Sequence, residues 1–259
     1  MELEQHLALA LELADRADGI TMPRFRAQDL EVTTKPDLTP VSEADHAVER
    51  ALRERLAEAT SHSVVGEEFD DVEGADGEFR WIVDPIDGTK NYVRGVPIWA
   101  TLIALEHAGE MVVGVVSAPA LHTRWWAARG LGAFRDGETI RVSSVSELGD
   151  AQISFAWDNP ERFDGDGIGA RLLGLSRQCW RTRGIGDFWQ HMLVAEGAFD
   201  VAIDPVVALW DVAALVPIVA EAGGTWSTVD GRADPAGGSF VCTNGRVHDD
   251  VLAAVGDRR

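Results

Sequence analysis

Basic residues are scarce in this chain of 259 residues. Lysine and arginine total 23 against 43 aspartates and glutamates, a formal charge of −20. So acidic a surface has no broad patch with which to displace counterions from a phosphate backbone. That excludes a non-specific nucleic-acid binder and a binder of anionic membranes. Cysteine is nearly absent: Cys179 and Cys242 stand far apart, with no short metal spacing. A disulfide framework is not expected, and a reducing cytoplasm is. No apolar run approaches the ~18 residues of a membrane span. The opening stretch, MELEQHLALALELADRADGI, lacks the basic start of a signal peptide and reads as an amphipathic helix on Leu3, Leu7, Leu11 and Ala14. There is no internal repeat and no low-complexity tract. No G-x-x-x-x-G-K-[ST] loop occurs, which excludes a P-loop nucleotide binder.

What remains is the composition of a folded globular protein, 46% apolar and 25% charged. A helix is expected from about Ser42 to Ala59, with Val48, Leu52 and Leu56 spaced by four and Ser42 and Asp45 at capping-box spacing. SVVGEEF reads as a short buried strand that stops at Glu67 and Glu68. Strands are expected over 79–83, 98–105, 111–117 and 124–128, and Asp136-Gly137 is a hairpin signal. From about 151 the pattern changes. A strand at 151–156 leads into the polar loop DNPERFDGDGIG. A helix at 187–197, the strand AFDVAID and one long helix from Leu209 to Ala222 follow; Pro217 should kink that helix or sit near its exposed side, and Gly223-Gly224 should end it. The first part, 1–145, is strand-rich with antiparallel signals. The second, 146–259, alternates strand and helix. Two lobes with a site between them are expected.

The acids fall at the ends of these elements. Glu67 and Glu68 follow Val64-Val65, Asp84 and Asp87 follow Trp81-Ile82-Val83, and Asp211 lies in the first turn of the helix starting at Leu209. Carboxylates gathered at the ends of buried strands repel one another unless a cation neutralises them. Oxygen ligands without a Cys or His pair suit Mg²⁺, Mn²⁺ or Ca²⁺. An EF-hand does not fit, because the twelfth position counted from Asp84 is Gly95. Gly88 permits close backbone approach, and the amides of Gly88 and Thr89 would face an anion if a helix starts there. Metal beside an anion site points to metal-assisted phosphate hydrolysis.

Three stretches, GEEF, WIVDPIDGTKNY and LWDVAALVPIVAEAGG, resemble the signature motifs of the inositol monophosphatase superfamily; KPDLTPVSEAD resembles its N-terminal element and AARGLGAF its glycine-rich hairpin. Together they spread over nearly the whole chain. The resemblance implies an α+β fold layered αβαβα, Mg²⁺-dependent hydrolysis of a small phosphate monoester, and a homodimer. It implies that Glu67, Asp84 and the carbonyl of Ile86 hold one Mg²⁺, that Asp84, Asp87 and Asp211 hold a second, and that Glu67 reaches a weaker third through water. By the same carry-over Thr89 with Asp45 orients and deprotonates the attacking water, the amides of Gly88 and Thr89 take the phosphate, and Lys35 lies near the site. The bland readings are a capping-box role for Asp45, a helix N-cap for Asp187 and simple helix-dipole compensation by Asp211.

Substrate choice in that superfamily lies outside the metal core. CWRTRGIGDFWQ places Arg183 and Asp187 there, and Asp204 stands where many relatives carry a glutamate. Two carboxylates facing the leaving group suit a cation. WRTRGIGDFW also resembles the histidinol-phosphate phosphatases of the superfamily, which implies L-histidinol phosphate as substrate. Inositol 1-phosphate or a sugar phosphate is the alternative ester, and a non-catalytic metal-binding relative the alternative class.

Overall fold

The computed structural model describes residues 2–36, 38–156 and 167–256. Most of the loop DNPERFDGDGIG lies outside the described residues. The chain begins with α1 (Glu2–Arg24), a hairpin of β1 (Val32–Thr34) and β2 (Pro40–Ser42), and α2 (Glu43–Ala59). A seven-stranded sheet follows: β3 (His62–Gly66), β4 (Asp76–Asp87), β5 (Ala100–His107), β6 (Glu110–Ala118), β7 (Thr123–Ala128), β8 (Gly132–Arg135) and β9 (Glu138–Thr139), in that spatial order. Only β3 and β4 run parallel; the other neighbours are antiparallel. The short α3 (Thr89–Val93) leaves the end of β4. A second sheet of five strands has the order β11 (Arg181–Arg183), β10 (Gln152–Phe155), β12 (Val201–Asp204), β14 (Phe240–Thr243), β13 (Thr225–Ser227). The later helices are α4 (Ile168–Ser176), α5 (Asp187–Ala195), α6 (Leu209–Val212), α7 (Leu215–Glu221) and α8 (His248–Val255).

Strand alternation sorts the side chains into layers. Trp81, Val83, Ile103, Leu105, Val113 and Val115 face α1 and α2, where Leu13, Val48, Leu52 and Leu56 meet them. Ile82, Leu102, Ala104 and Val116 face the other way, onto α5, α6 and α7, and those helices also cover Ala202, Phe240 and Cys242 of the second sheet. The far side of that sheet, with Ile153, Val201, Ile203 and Val241, is closed by α4 and α8. The stack is helix, sheet, helix, sheet, helix, the layered αβαβα arrangement expected. No helix among the described residues is long and apolar enough to cross a membrane.

The single helix expected over Leu209–Ala222 is instead two, α6 and α7. Pro217 has no N–H to donate to Ala213, and its ring would crowd that carbonyl, so the helix is interrupted at Ala213-Ala214. The break is seated on Gly114 of β6: a Cβ there would stand 2.1 Å from the Ala214 carbonyl oxygen. Gly223 (φ 88°) ends α7, and the amide of Gly224 returns to the Val219 carbonyl at 2.9 Å.

Candidate active site

Two acids three residues apart on a regular strand point to opposite faces. Asp84 and Asp87 share one because β4 carries a bulge. Asp84 pairs with Leu102 and Asp87 with Ala100, so β4 spends one residue more than β5 between them. Pro85, with no amide hydrogen, sits at the bulge, and its carbonyl accepts from the Thr101 hydroxyl at 2.8 Å. Both carboxylates thereby enter a cavity of about 600 Å³ between the two sheets. Parallel pairing sets Gly66 beside Val83, so Glu67 and Asp84 leave adjacent strands side by side. Asp211, in the first turn of α6, completes the cluster: ligand oxygens of Asp84, Asp87 and Asp211 lie within 4.8 Å of one another. The Asp211 Oδ2 also accepts the Ala208 amide at 2.7 Å, so the helix-start reading and the site reading both hold.

These acids are costly as they stand. Asp84 and Asp87 are 2% and 9% exposed. Burial, then the charges of Glu67, Asp87 and Asp211, pushes the Asp84 carboxyl well above the usual carboxylate range. Burial, then Asp187 and Asp211, does the same to Asp87, although the Phe188 amide donates to its Oδ2 at 2.7 Å. Hard, closely spaced oxygens that repel when ionised are a donor set a divalent cation fits, since the cation supplies the charge that the fold withholds.

Around the cluster each expected residue has a definite place. Asp45 Oδ2 accepts the Ser42 amide at 2.8 Å and the Ser42 hydroxyl at 2.6 Å, closing the capping box of α2. Its other oxygen, Oδ1, accepts the Thr89 hydroxyl at 3.2 Å, and that hydroxyl lies 2.9 Å from the Ile86 carbonyl. Asp45 therefore caps the helix with one oxygen and faces Thr89 with the other. Burial, before any hydrogen bond, raises its carboxyl. Gly88, in the left-handed region at φ 82°, precedes α3, and a Cβ on it would approach the Ile98 carbonyl oxygen to 3.0 Å. Lys35 donates to Glu67 Oε1 and Glu68 Oε1, each at 2.7 Å. Burial raises the Glu68 carboxyl to about 7 despite that ammonium.

Asp187 is the first residue of α5; Gly186, not Asp187, occupies the cap. Asp187 holds φ 51°, an uncommon conformation that Asp tolerates better than most side chains, and its Oδ2 accepts the Asn91 side-chain amide at 2.8 Å. Asp204, the last residue of β12, lines the same cavity. Arg183 does not. It is exposed on β11, and its Nη1 donates to the Thr182 carbonyl at 2.8 Å.

Sequence reasoning missed the supports. Buried Glu49 accepts the amides of Glu68 (2.8 Å) and Phe69 (3.2 Å) and is held by Arg53 Nη2 at 2.7 Å, so an ion pair from α2 shapes the turn carrying Glu67. Gly66 is the residue that admits it: a Cβ would stand 2.1 Å from Glu49 Oε1. Asn91 and His191 were missed as well. The i, i+4 spacing of Glu49 and Arg53 was the one available signal, and it is common on exposed helix faces.

The sequence matches the inositol monophosphatase family over residues 2–258. It is 53% identical to the histidinol-phosphatase of Mycobacterium tuberculosis, over 95% of this chain and 96% of that protein. It is 51% identical to the histidinol-phosphatase of Streptomyces coelicolor, over 97% of each. The fold superimposes on the extragenic suppressor protein suhB of Bartonella henselae with a TM-score of 0.91 at 28% identity, covering 98% of this chain and 100% of that one. With the layered fold, the carboxylate cluster behind a bulged strand and a match that runs nearly end to end, the chain belongs to the inositol monophosphatase family.

Proposed function

We propose that the protein is a Mg²⁺-dependent phosphate monoesterase that converts L-histidinol phosphate to L-histidinol and phosphate. The observation that carries the reading is a single cavity walled on one side by Asp84, Asp87 and Asp211 and on another by Asp187 and Asp204. The first wall suits cations that bind a phosphate; the second suits a leaving group that is itself cationic. The two relatives above carry the name of this activity over almost their full length.

Glu67, Asp84, Asp87, Asp211 and the Ile86 carbonyl would hold the metal, two or three ions in all. Bound there, divalent cations would neutralise the carboxylates, acidify an attacking water and stabilise the departing oxygen. The protein's own groups do the rest. Thr89 and Asp45 form a hydroxyl–carboxylate pair placed to orient a water and accept its proton. The amides of Gly88 and Thr89 would hold the phosphate oxygens. Asp187, oriented by Asn91, and Asp204 would receive the α-ammonium and imidazole of the leaving group. A homodimer in the cytoplasm completes the reading.

Phosphate release with Mg²⁺ and with excess EDTA tests it, with L-histidinol phosphate, myo-inositol 1-phosphate and 3′-phosphoadenosine 5′-phosphate run side by side. Chelator-sensitive release, strongest from histidinol phosphate, is expected. Preference for inositol phosphate would overturn the reading of Asp187 and Asp204 while keeping the metal chemistry.

A further inference from the structure

His191 takes no part in the roles assigned above, yet it lines the same cavity. It lies one turn beyond Asp187 on α5, so the two side chains share a helix face. The ring is 1% exposed. Its Nε2 lies 2.7 Å from Asp204 Oδ2. Phe240 packs edge-on against it, centroids 5.0 Å apart at 71°, and Phe240 is also the β14 residue paired with Asp204. Imidazole, carboxylate and phenyl ring thus brace one another at the end of β12.

The hydrogen follows from the partners. A carboxylate only accepts, so Nε2 carries the N–H. Nδ1 is buried and has no hydrogen-bond partner among the described residues. No lysine or arginine pairs with Asp204 among the described residues. His191 is therefore the side chain that fixes Asp204 Oδ2.

We infer that His191 is a positioning residue that holds Asp204 as the receptor for the cationic end of the leaving group, so that selection of cationic over neutral phosphate esters depends on it. The inference rests on the substrate reading proposed above. It adds that the acidic wall is a built receptor, in which side-chain contacts, His191 to Asp204 and Asn91 to Asp187, aim two carboxylates.

The test compares wild type, His191→Leu, His191→Gln, Asp204→Asn and the Leu/Asn double variant, in Mg²⁺, on L-histidinol phosphate and on glycerol 2-phosphate, whose leaving group is neutral. The readout is the ratio of kcat/KM for the cationic ester to that for the neutral one. In His191→Leu the ratio is expected to fall about tenfold, the loss of one hydrogen bond to a charged group, and to fall through KM for histidinol phosphate rather than through kcat. Glutamine carries an amide N–H to about the reach of Nε2 and is expected to restore most of the ratio. The double variant should lose no more than Asp204→Asn alone, because both changes act through one carboxylate. Equal losses on both esters, an unchanged ratio, or a glutamine variant as impaired as the leucine one would overturn the inference. Should the leucine variant fail to fold, His191→Met, of similar volume and without a donor, takes its place: a low methionine ratio with glutamine near wild type supports the inference, and methionine equal to glutamine overturns it. A wild type with no preference for histidinol phosphate would overturn the substrate reading and this inference together; a wild-type preference that His191→Leu retains would overturn this inference alone.

Discussion

Asp84→Asn should make the metal-free protein more stable while removing its activity. Oxygens of Asp84, Asp87 and Asp211 lie within 4.8 Å of one another. At that separation two unit charges repel by about 3.5 kcal/mol at an effective dielectric of ~20, so replacing Asp84 deletes two such pairs, about 7 kcal/mol were all three ionised, and the charge of Glu67 adds to it. Protonation relieves part of this in the wild type, and the expected net gain is about 1–3 kcal/mol, the scale of a buried group left unsatisfied. Asparagine keeps an Oδ1 to accept the Ile86 amide, a bond of 3.0 Å, so the bulge is not undone. The pH dependence has a definite sign. A carboxyl raised on folding adds stability that is whole below its unfolded pKa and is lost as pH rises through the folded value. Burial raises Asp84 and Asp87 in that direction. The advantage of Asp84→Asn over wild type in EDTA should therefore be small near pH 5 and grow toward pH 8. Thermal melts read it, at about 2–4 °C per kcal/mol for a chain of this size. Mg²⁺ should raise the wild-type melting temperature and raise that of the variant far less. A variant that melts at or below wild type in EDTA at pH 8, with an unchanged Mg²⁺ response, would refute the reasoning.

Asp45→Asn should lower kcat by about 10²- to 10⁴-fold with little change in KM, because Asp45 faces the water and not the leaving group; steady-state kinetics check this, and a change in KM alone would contradict it. Asp187→Asn should raise KM for histidinol phosphate about tenfold and spare glycerol 2-phosphate, while Asp187→Ala should cost a further ~1 kcal/mol of stability, since φ 51° suits Asn and Asp better than Ala; urea titration separates the two effects. Gly66→Ala should displace Glu49, loosen the turn that carries Glu67 and weaken Mg²⁺ activation; a variant with wild-type Mg²⁺ dependence would show that Glu49 does not support the site.

Much of the site was readable because its signals are local. Ser42 and Asp45 are a capping pair three residues apart, and the structure forms that cap with one oxygen of Asp45. Asp211 opens a helix where its motif put it. The long helix over Leu209–Ala222 divides where Pro217 was expected to kink it: Ala213 and Ala214 keep right-handed helical backbone, but the proline denies the Ala213 carbonyl its donor, and Pro217 itself is buried and not on an exposed side. Arg183 and Asp187 stand four residues apart in sequence, but Arg183 lies exposed on a strand and outside the cavity lining, whereas Asp187 opens a helix and lines it.

The sequence by itself determined the chemistry on offer: an excess of acid, carboxylates at element ends, a glycine and a threonine behind the second of them, and an alternation of strands and helices; the layer order came from its resemblance to a family. Those follow from short-range pattern, which a linear reading can count. Only the tertiary structure decided which acids meet. Asp84 and Asp87 belong on opposite faces of an ideal strand, and the bulge at Pro85 sets them on one. Glu49, 18 positions before Glu67, shapes the turn that presents it. His191 and Asp204 meet across a helix and a strand, and Asn91 reaches Asp187 across 96 positions of chain. Such pairings are fixed by how layers pack, because burial of the apolar faces sets the distance and angle between elements, and no spacing along the chain encodes it.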